Sequence, residues 1–273
     1  IKAFCYKEGY IAFQTTDSFK EGNALIAAKD ANGTILWSWH IWLTDKPQGQ
    51  VYYNNAGTMM DRNLGATSAT PGDVGALGLL YQWGRKDPFL GSSSISSSAL
   101  AESTITWPST ENSKSNGTIA YATAHPTTFI TFNSRNYDWY YTGSSSTDNT
   151  RWTTSESSKS IYDPCPVGWR VPDGGSNGVW STALGSYSSY YGTYDSTNEG
   201  MKLSGKFGSD QTIWYPASGF RTTADGGLSQ IGKYGYYWSA KSTYGLNFYD
   251  NNELRPSGRN DQANALSVRC QKE

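Results

Sequence analysis

Charged residues, cysteines and histidines are all scarce in this sequence of 273 residues. Only 16% of the residues are Asp, Glu, Lys or Arg, and the formal net charge is −1. A nucleic-acid-binding protein needs a basic surface to neutralise phosphates, so this charge balance argues against a nucleic-acid partner. No run approaches the ~20 apolar residues of a membrane-spanning helix, so we expect no transmembrane span in this stretch of chain.

The two histidines, His40 and His125, lie in no nucleophile motif, and the sequence has neither Cys-x-x-Cys nor His-x-x-x-His spacing. We therefore expect no zinc site. Catalysis by paired carboxyls would draw on the four most obvious acids, Asp61, Asp87, Asp163 and Asp173. Each of them also has a structural interpretation, as a loop-fixing ion pair or a turn residue. We favour the structural interpretation and expect no enzyme activity.

Aromatic residues and glycine are abundant. The sequence has 11 Trp, 20 Tyr and 9 Phe. Because each aromatic side chain buries about 150 to 250 Å², these residues supply the core that a low aliphatic content would otherwise lack. The 29 Gly, together with many Ser, Thr and Asn, predict short strands joined by turns and long surface loops rather than a helical bundle.

Two of the three cysteines occupy distinctive segments, YDPCPVGWRVP at 162–172 and SVRC at 267–270. Cys165 and Cys270 look like a clasp between opposite ends of one module, and the chain-entropy model assigns such a closure about 4 to 5 kcal/mol. Disulfides persist in oxidising compartments, which points outside the cytoplasm. Cys5 would then be left over, as an unpaired thiol, a partner for an upstream residue or a free buried cysteine.

Five ordered blocks carry a resemblance to a known family: DRNLGA at 61–66, YQWGRKDPF at 81–89, YDPCPVGWRVP at 162–172, YYWSA at 236–240 and SVRC at 267–270. Together they resemble the Fibrobacter succinogenes major paralogous domain over residues 44–273. That family is a secreted or surface module of Bacteroidetes-type bacteria. The resemblance implies a C-type-lectin-like fold in a surface or fimbrial adhesin, distantly similar to the formylglycine-generating-enzyme fold.

The resemblance favours a non-enzymatic adhesion module on the bacterial cell surface or outer membrane, at a fimbrial tip, that binds a glycan or a protein on host or neighbouring cells. It also favours a structural bridge between Cys165 and Cys270 over the paired reactive cysteines of the enzyme relatives. One rival hypothesis is a structural fimbrial subunit whose residues 1–43 join another subunit's sheet by strand addition. A second rival is an enzyme that acts on glycans or protein side chains.

The expected fold class is α+β, a strand- and loop-rich C-type-lectin-like domain at 44–273 with few short helices, preceded by an N-terminal β segment at 1–43. This segment either packs on the following domain or ends a preceding β-sandwich domain. The chain starts at Ile1 with no signal peptide, so we interpret it as a mature or trimmed fragment.

Alternating side chains and turn residues predict strands at 10–13, 24–28, 35–42, 129–132, 212–215, 235–240, 244–249 and 266–270. The DANGT segment at 30–34 predicts a hairpin turn. Helical spacing predicts one short helix at 75–83 and a second at 179–190. Polar serine-rich composition predicts long loops at 92–98 and 143–160.

The candidate ligand-binding residues are Trp214, Tyr215, Arg221, Tyr249, Asp250, Asn251 and Asn252. The resemblance places them near the long loop and following strand that hold the ligand in C-type lectins. Chemically they suit a sugar, because an aromatic ring stacks on the C–H face of a pyranose while Asp and Asn bond its hydroxyls. In the competing interpretation, which we favour because polar tight turns are common, Trp214 and Tyr215 fill the core and 250–252 form a turn.

No cofactor is expected. Sugar-binding C-type lectins usually present Glu-Pro-Asn or Gln-Pro-Asp followed by Trp-Asn-Asp, and neither motif occurs here. A calcium ion needs six to eight oxygens. Those oxygens would have to come from a scattered set, Asp250, Asn251, Glu253, Asn260 and Asp261. We expect metal-free binding and leave calcium dependence as the alternative.

Tyrosines form a further cluster in the sequence, at 137–141 (YDWYY) and at Tyr187, Tyr190, Tyr191 and Tyr194. If these rings are exposed, they predict an adhesive surface, because tyrosine offers large contact area at low entropic cost. In the competing interpretation the rings fill gaps between short strands.

Overall fold

The computed structural model describes residues 1–132, 137–141, 150–155, 158–185, 191–204 and 213–273. Within these residues the protein is rich in strands and has two short α-helices, so the predicted strand-rich character with few short helices is confirmed. None of the helices in the described ranges is long and apolar enough to cross a membrane.

The N-terminal part carries β1 (Ala3–Lys7), β2 (Tyr10–Gln14), β3 (Gly22–Lys29), β4 (Ile35–Leu43), β5 (Gly49–Val51), β6 (Thr58–Met60) and β7 (Leu80–Gln82). The middle part carries β8 (Ser109–Glu111), α1 (Ile119–Ala124), β9 (Phe129–Thr131), β10 (Thr153–Ser155), β11 (Ser158–Lys159), β12 (Trp169–Arg170) and α2 (Val179–Leu184). The C-terminal part carries β13 (Gly192–Asp195), β14 (Gly200–Leu203), β15 (Ile213–Pro216), β16 (Phe220–Arg221), β17 (Leu228–Ser229), β18 (Tyr234–Trp238), β19 (Tyr244–Tyr249), β20 (Leu254–Arg259), β21 (Ala265–Ser267) and β22 (Gln271–Lys272).

The largest sheet has the strand order β17-β16-β21-β18-β19-β20, and β7 joins it at β21. Its pairs are antiparallel except for β18 and β21, which are parallel. A second sheet has the order β12-β22-β6-β5, and a third joins β13, β14 and β15. The N-terminal hairpins β1-β2 and β3-β4 are each two-stranded. The chain's last two strands thus lie in the two largest sheets.

The strands predicted at 10–13, 24–28, 35–42, 129–132, 235–240 and 244–249 are confirmed within a few residues. The strand predicted at 212–215 is observed as Ile213–Pro216. Of the strand predicted at 266–270, only the first two residues lie in a strand, β21, and 268–270 form the link to β22. The turn at 30–34 is also confirmed. In it the Asp30 carboxylate accepts hydrogen bonds from the backbone N–H of Asn32 and Thr34 at 2.9 and 2.8 Å.

The helix predicted at 75–83 is wrong, because a 3-10 turn at Val74–Ala76 is followed by β7. Gly78 between them has a φ of +70°, and a Cβ added there would lie 2.8 Å from the carbonyl oxygen of Leu64. Leu80–Gln82 instead pair with β21. Periodicity could not show this competition, because the partner strand lies near the other end of the chain.

The second predicted helix, at 179–190, begins correctly at Val179 and ends at Leu184, where Gly185 adopts a φ of +82°. Residues 186–190 lie outside the described residues. The predicted loop at 143–160 contains the short hairpin β10-β11, while 142–149 and 156–157 also lie outside the described ranges. The loop at 92–98 has no strand of its own beyond an isolated bridge between Ser92 and Leu100.

The predicted bridge between Cys165 and Cys270 is present and joins residues 105 positions apart. Both cysteines are buried in an aromatic-rich cluster with Trp83, Trp152 and Trp238. Cys5 is free and exposed, so the interpretation of it as a buried cysteine is wrong. The bridge ties the loop before β12 to the residue that precedes β22.

Side chains on one face of β4 bond the hairpin β3-β4 to the rest of the chain. Ser38 donates to the Asp87 carboxylate at 2.6 Å, and Trp42 Nε1 donates to the carbonyl of Ala66 at 2.9 Å. Between them, His40 Nδ1 lies 3.2 Å from the hydroxyl of Tyr81. The division of the chain into domains near residue 43 stays a prediction.

Removing the bridge with the double variant C165A/C270A should lower the free energy of unfolding by about 4 kcal/mol, because the long loop is no longer closed in the unfolded chain. Urea unfolding followed by tryptophan fluorescence measures this difference. The C5S variant is the matched control and should unfold like the wild type. Equal stability of the double variant and the wild type would contradict a structural role for the bridge.

The burial of His40 between the hairpin and Tyr81 also predicts that the free energy of unfolding depends on pH. Burial lowers the pKa of His40 from 6.5 to about 4. The unfolded chain therefore takes up this proton before the folded chain does, and the free energy of unfolding should fall by up to about 3 kcal/mol as the pH drops through this window.

The measurement is urea unfolding of the wild type and H40Q between pH 7 and pH 4. Burial raises the pKa of Asp163 to about 6, which acts in the opposite direction over part of the window, so the difference between the two proteins isolates His40. A difference that does not change with pH would refute the prediction.

Candidate functional site

A shallow cleft of about 180 Å³ lies where β16, β18 and β19 meet the turn before β21. Its lining combines aromatic rings with amide and carboxyl groups: Phe220, Tyr236, Asn247, Tyr249, Arg259, Asn260, Asp261, Asn264 and Leu266. We call it the tyrosine–asparagine cleft.

Strand alternation explains why polar and aromatic side chains gather on this face. In the β18-β19 pair, Tyr236 lies opposite Asn247 and Tyr234 opposite Tyr249. Neighbouring residues in these strands, such as Tyr237 and Phe248, point the other way and are fully buried in the core. One face of the hairpin therefore anchors the strands while the other forms the cleft.

The aromatic wall is built from half-buried rings in edge-on contact. The ring centroid of Tyr236 lies 5.2 Å from that of Phe220 and 6.0 Å from that of Tyr249. Tyr234 supports Tyr249 from the side at 4.8 Å. Edge-to-face contacts of this kind hold each ring in place without covering both of its faces. Burial and the neighbouring phenol of Tyr249 raise the pKa of Tyr236, so it is a neutral hydroxyl at physiological pH.

The polar wall comes from residues between β20 and β21. Asn260 Nδ2 donates to Asn247 Oδ1 at 2.9 Å, which links this segment to β19. The backbone N–H of Asn264 donates to the carbonyl of Asp261 at 3.0 Å and closes the turn. Both amide side chains and the Asp261 carboxyl consequently line the same small cleft.

Asp261 stands out among these polar groups. Burial raises the pKa of its half-buried carboxyl, and within the described residues no side chain or backbone N–H bonds to it. A carboxyl that is partly withdrawn from water with no partner costs stability. Its free oxygens are acceptors that a ligand hydroxyl could satisfy.

Of the seven residues predicted to bind ligand, the structure brings only Tyr249 into this cleft. Tyr215 is fully buried, and its hydroxyl bonds to Tyr52 and accepts from Trp180 Nε1 at 2.9 Å. Trp214 precedes Tyr215 on β15, and this strand belongs to a different sheet from the strands that form the cleft. Arg221 Nε donates to the carbonyl of Leu90 at 2.8 Å and so fixes a loop.

The remaining three predicted residues, Asp250, Asn251 and Asn252, form the tight turn between β19 and β20. Asn252 has a φ of +68°, and its backbone N–H donates to the carbonyl of Tyr249 at 3.1 Å. The side-chain oxygen of Asn251 accepts from the N–H of Glu253 at 3.0 Å. This geometry matches the competing interpretation of 250–252 as a turn.

The oxygen atoms considered for calcium are split between two places. Asn260 and Asp261 line the tyrosine–asparagine cleft, while Asp250, Asn251 and Glu253 belong to the β19-β20 turn and its exit. Within the described ranges no group of three or more His, Cys, Asp or Glu side chains could hold a metal ion. Calcium dependence stays a question for experiment.

The tyrosine cluster is divided as well. Tyr137 is 54% exposed, whereas Trp139 beside it is fully buried. Tyr191 packs against the core, and the hydroxyl of Tyr194 donates to the Glu199 carboxylate at 2.9 Å. Tyr187 and Tyr190 lie outside the described residues. Among the described tyrosines of this cluster, Tyr137 is therefore the well-exposed ring, and they form no continuous exposed surface.

The four acids considered for catalysis each have a bonded partner. Asp61 accepts from Arg62 at 3.0 Å and Asp173 from Arg170 at 2.6 Å. Asp87 accepts from the ammonium group of Lys86 at 2.8 Å. The Asp163 carboxylate accepts from the backbone N–H of Cys165 and Val171 at 2.9 and 2.8 Å. Such contacts can fix loops, and the structural interpretation of the four acids stays a prediction.

No protein-family model, curated protein or solved structure matches this chain significantly.

Sequence reasoning missed Phe220, Tyr236, Asn247 and Asn264 as cleft residues. Tyr236 and Asn247 do lie in strands that the sequence predicts, and an antiparallel register between those strands would have placed them side by side. The missing information was the register. Phe220 and Asn264 had no comparable signal, because they reach the cleft only through the pairing of β16 with β21.

The unsatisfied carboxyl predicts that D261N raises the free energy of unfolding at pH 7 by roughly 0.5 kcal/mol, within the range of partly exposed substitutions. Because burial raises the pKa of Asp261, the gain should shrink as acid protonates the wild-type carboxyl. Thermal and urea unfolding at pH 7 and pH 3 measure both effects.

The matched control is D225N. The Asp225 carboxylate accepts from the backbone N–H of Gly227 at 2.8 Å and also bonds Thr222, which lowers its pKa. D225N should therefore destabilise the protein at pH 7. Loss of stability in D261N would show that Asp261 has a structural partner and would remove it from the candidate site.

Proposed function

We propose that this protein is an extracellular recognition module that binds a glycan in the tyrosine–asparagine cleft. The single observation that carries the proposal is the combination, in one small cleft, of half-buried tyrosine rings with amide and carboxyl groups that face the same space. Rings offer a stacking surface for the C–H face of a sugar, while amides and carboxyls bond its hydroxyls.

The cleft's size fits one sugar unit at a surface rather than a deeply enclosed substrate. At about 180 Å³ it is smaller than the ~300 to 1,000 Å³ pockets that enclose drug-sized ligands. Binding through such a shallow site is weak for one unit. Affinity on a cell surface would then come from several modules engaging together.

Two further observations support an exported adhesin. The buried bridge between Cys165 and Cys270 is of the kind that persists in oxidising compartments. The ordered motifs resemble those of the Fibrobacter succinogenes major paralogous domain, whose C-type-lectin-like fold and surface location we extend to this chain as part of the proposal. In this setting the module would sit at a fimbrial tip or on the bacterial surface.

A glycan array probed with the labelled protein, with and without EDTA, tests the proposal. We expect binding that Y249A weakens by at least tenfold, because the stacking ring is lost, and that N264L weakens as well. D261N should weaken binding without lowering stability. Binding that survives EDTA supports metal-free recognition, whereas its loss with EDTA shows that the site needs a divalent cation.

The control is Y121A, which removes a half-buried tyrosine from α1, where it stacks on His125 at 4.0 Å, outside the cleft. This variant should bind like the wild type. An array with no signal in either arm, or glycan binding that Y249A leaves unchanged, would overturn the proposal for this cleft.

A further inference from the structure

Strand β3 has an open edge. It pairs with β4 on one side only, and within the described residues no other strand, loop or side chain bonds to its backbone. Alternate N–H and C=O groups of Gly22–Lys29 therefore lack a protein partner. Open edges of this kind are templates for pairing with another strand.

The neighbouring strand β4 is protected by contrast. Helix α1 packs against it, and the ammonium group of Lys86 donates to the carbonyl of Ser38 at 2.9 Å. Lys86 also covers the ring of Trp37 at 4.5 Å. A lysine and a helix are two of the devices by which proteins cover sheet edges. The hairpin is thus closed on one side and open on the other.

The open edge forms one wall of the large cleft in this protein, which has a volume of about 830 Å³. Asn23 and Leu25 of β3 line it from the same face as His40 of β4, and Ala24 between them also lines it, so the cleft runs along the edge of β3 on this side of the hairpin. The opposite walls are mainly apolar and include Phe89 and Trp107. The cleft's volume lies within the ~300 to 1,000 Å³ range of pockets that enclose ligand groups.

The same chain carries a strand with matching properties. In β1 every residue is exposed, and Phe4 and Tyr6 are 65% and 75% exposed. They lie opposite Phe13 and Ile11 of β2, so the β1-β2 ribbon has one apolar face with nothing packed on it in the described residues. β1 also has an open edge, because β2 is its only partner strand within the described part of the chain.

Charge is complementary too. Among the described residues that line the large cleft, Glu102 is the single charged one. Lys2 and Lys7 flank the aromatic pair of β1, and their ion pairs with Asp17 and Glu8 are exposed. Exposed pairs of this kind contribute little and exchange readily. Strand β1, with its lysines and aromatic rings, is therefore complementary to an apolar cleft that carries the carboxylate of Glu102.

We propose that β1 of a second copy of this chain adds to the open edge of β3, with Phe4 and Tyr6 entering the large cleft. The contact is head-to-tail, because donor and acceptor surfaces differ, so repeated additions build an open chain of modules. This assembly is independent of the tyrosine–asparagine cleft and would array that cleft along the polymer.

Sedimentation velocity of the full chain under reducing conditions tests the association. The wild type should associate with rising concentration, and the exposed-residue variant F4S/Y6S should associate at least tenfold more weakly. F19S, which removes another exposed aromatic ring outside β1, is the matched control and should behave like the wild type. A wild type that stays monomeric, or an F4S/Y6S variant that associates equally well, overturns the proposal.

Cross-linking tests the geometry, because β1 carries the free Cys5 on the face opposite Phe4 and Tyr6. Strand addition brings Cys5 beside the face of β3 that holds Ala24 and Ala28. Under mild oxidation, wild-type chain mixed with C5S/A24C or C5S/A28C should give a mixed disulfide that peptide mapping assigns to Cys5.

The matched control is C5S/A27C, whose new thiol lies on the opposite face of β3 and should not link to Cys5. Equal linking at all three positions would show random collision and overturn the strand geometry. In a single chain that retains Cys5 and carries A24C, a link within the monomer would show that β1 folds onto its own β3 and would overturn assembly between copies.

Discussion

The fold depends on how strand β21 is held inside the largest sheet. β21 pairs with β7, β16 and β18. Two residues after its end Arg269 is fully buried, and its guanidinium lies 3.8 Å from the ring centre of Tyr215. Arg269 donates to Asn63 Oδ1 at 3.1 Å. Cys270 then closes the bridge to Cys165. Among the described residues Arg269 has no carboxylate partner. Burying an unpaired charge costs free energy, and here the hydrogen-bond acceptors and aromatic rings around the guanidinium offset that cost.

That anchoring also places the two proposed surfaces. Leu266 of β21 forms part of the tyrosine–asparagine cleft, and the parallel pairing of β21 with β18 sets the position of Tyr236. On the other side of β21, strand β7 carries Tyr81, whose hydroxyl contacts His40 of the N-terminal hairpin. The tyrosine–asparagine cleft is therefore connected to β21 through β16 and β18, and the hairpin with the open β3 edge is connected to β21 through β7.

Much of the framework was predictable. The hairpin turn at 30–34, most strands and the Cys165–Cys270 bridge follow from turn chemistry, alternation and motif order. The helix at 75–83 failed because a long-range strand pair and the positive φ of Gly78 overrode its helical spacing. Of the cleft residues, Tyr249 was predicted to bind ligand, and Asn260 and Asp261 were considered as calcium ligands. Tyr215 was also a candidate, but partners distant in sequence hold it in the core.

By itself, the sequence determined a strand-rich fold with an aromatic core and a disulfide bridge. These properties depend on composition, on the local alternation of side chains and on the segments that contain Cys165 and Cys270. Only the tertiary structure decided which polar groups share a cleft and which strand edge stays open. Both outcomes depend on register and on which distant segments become neighbours. A shift of one residue in register turns every side chain of a strand to its other face, and no local pattern records that choice.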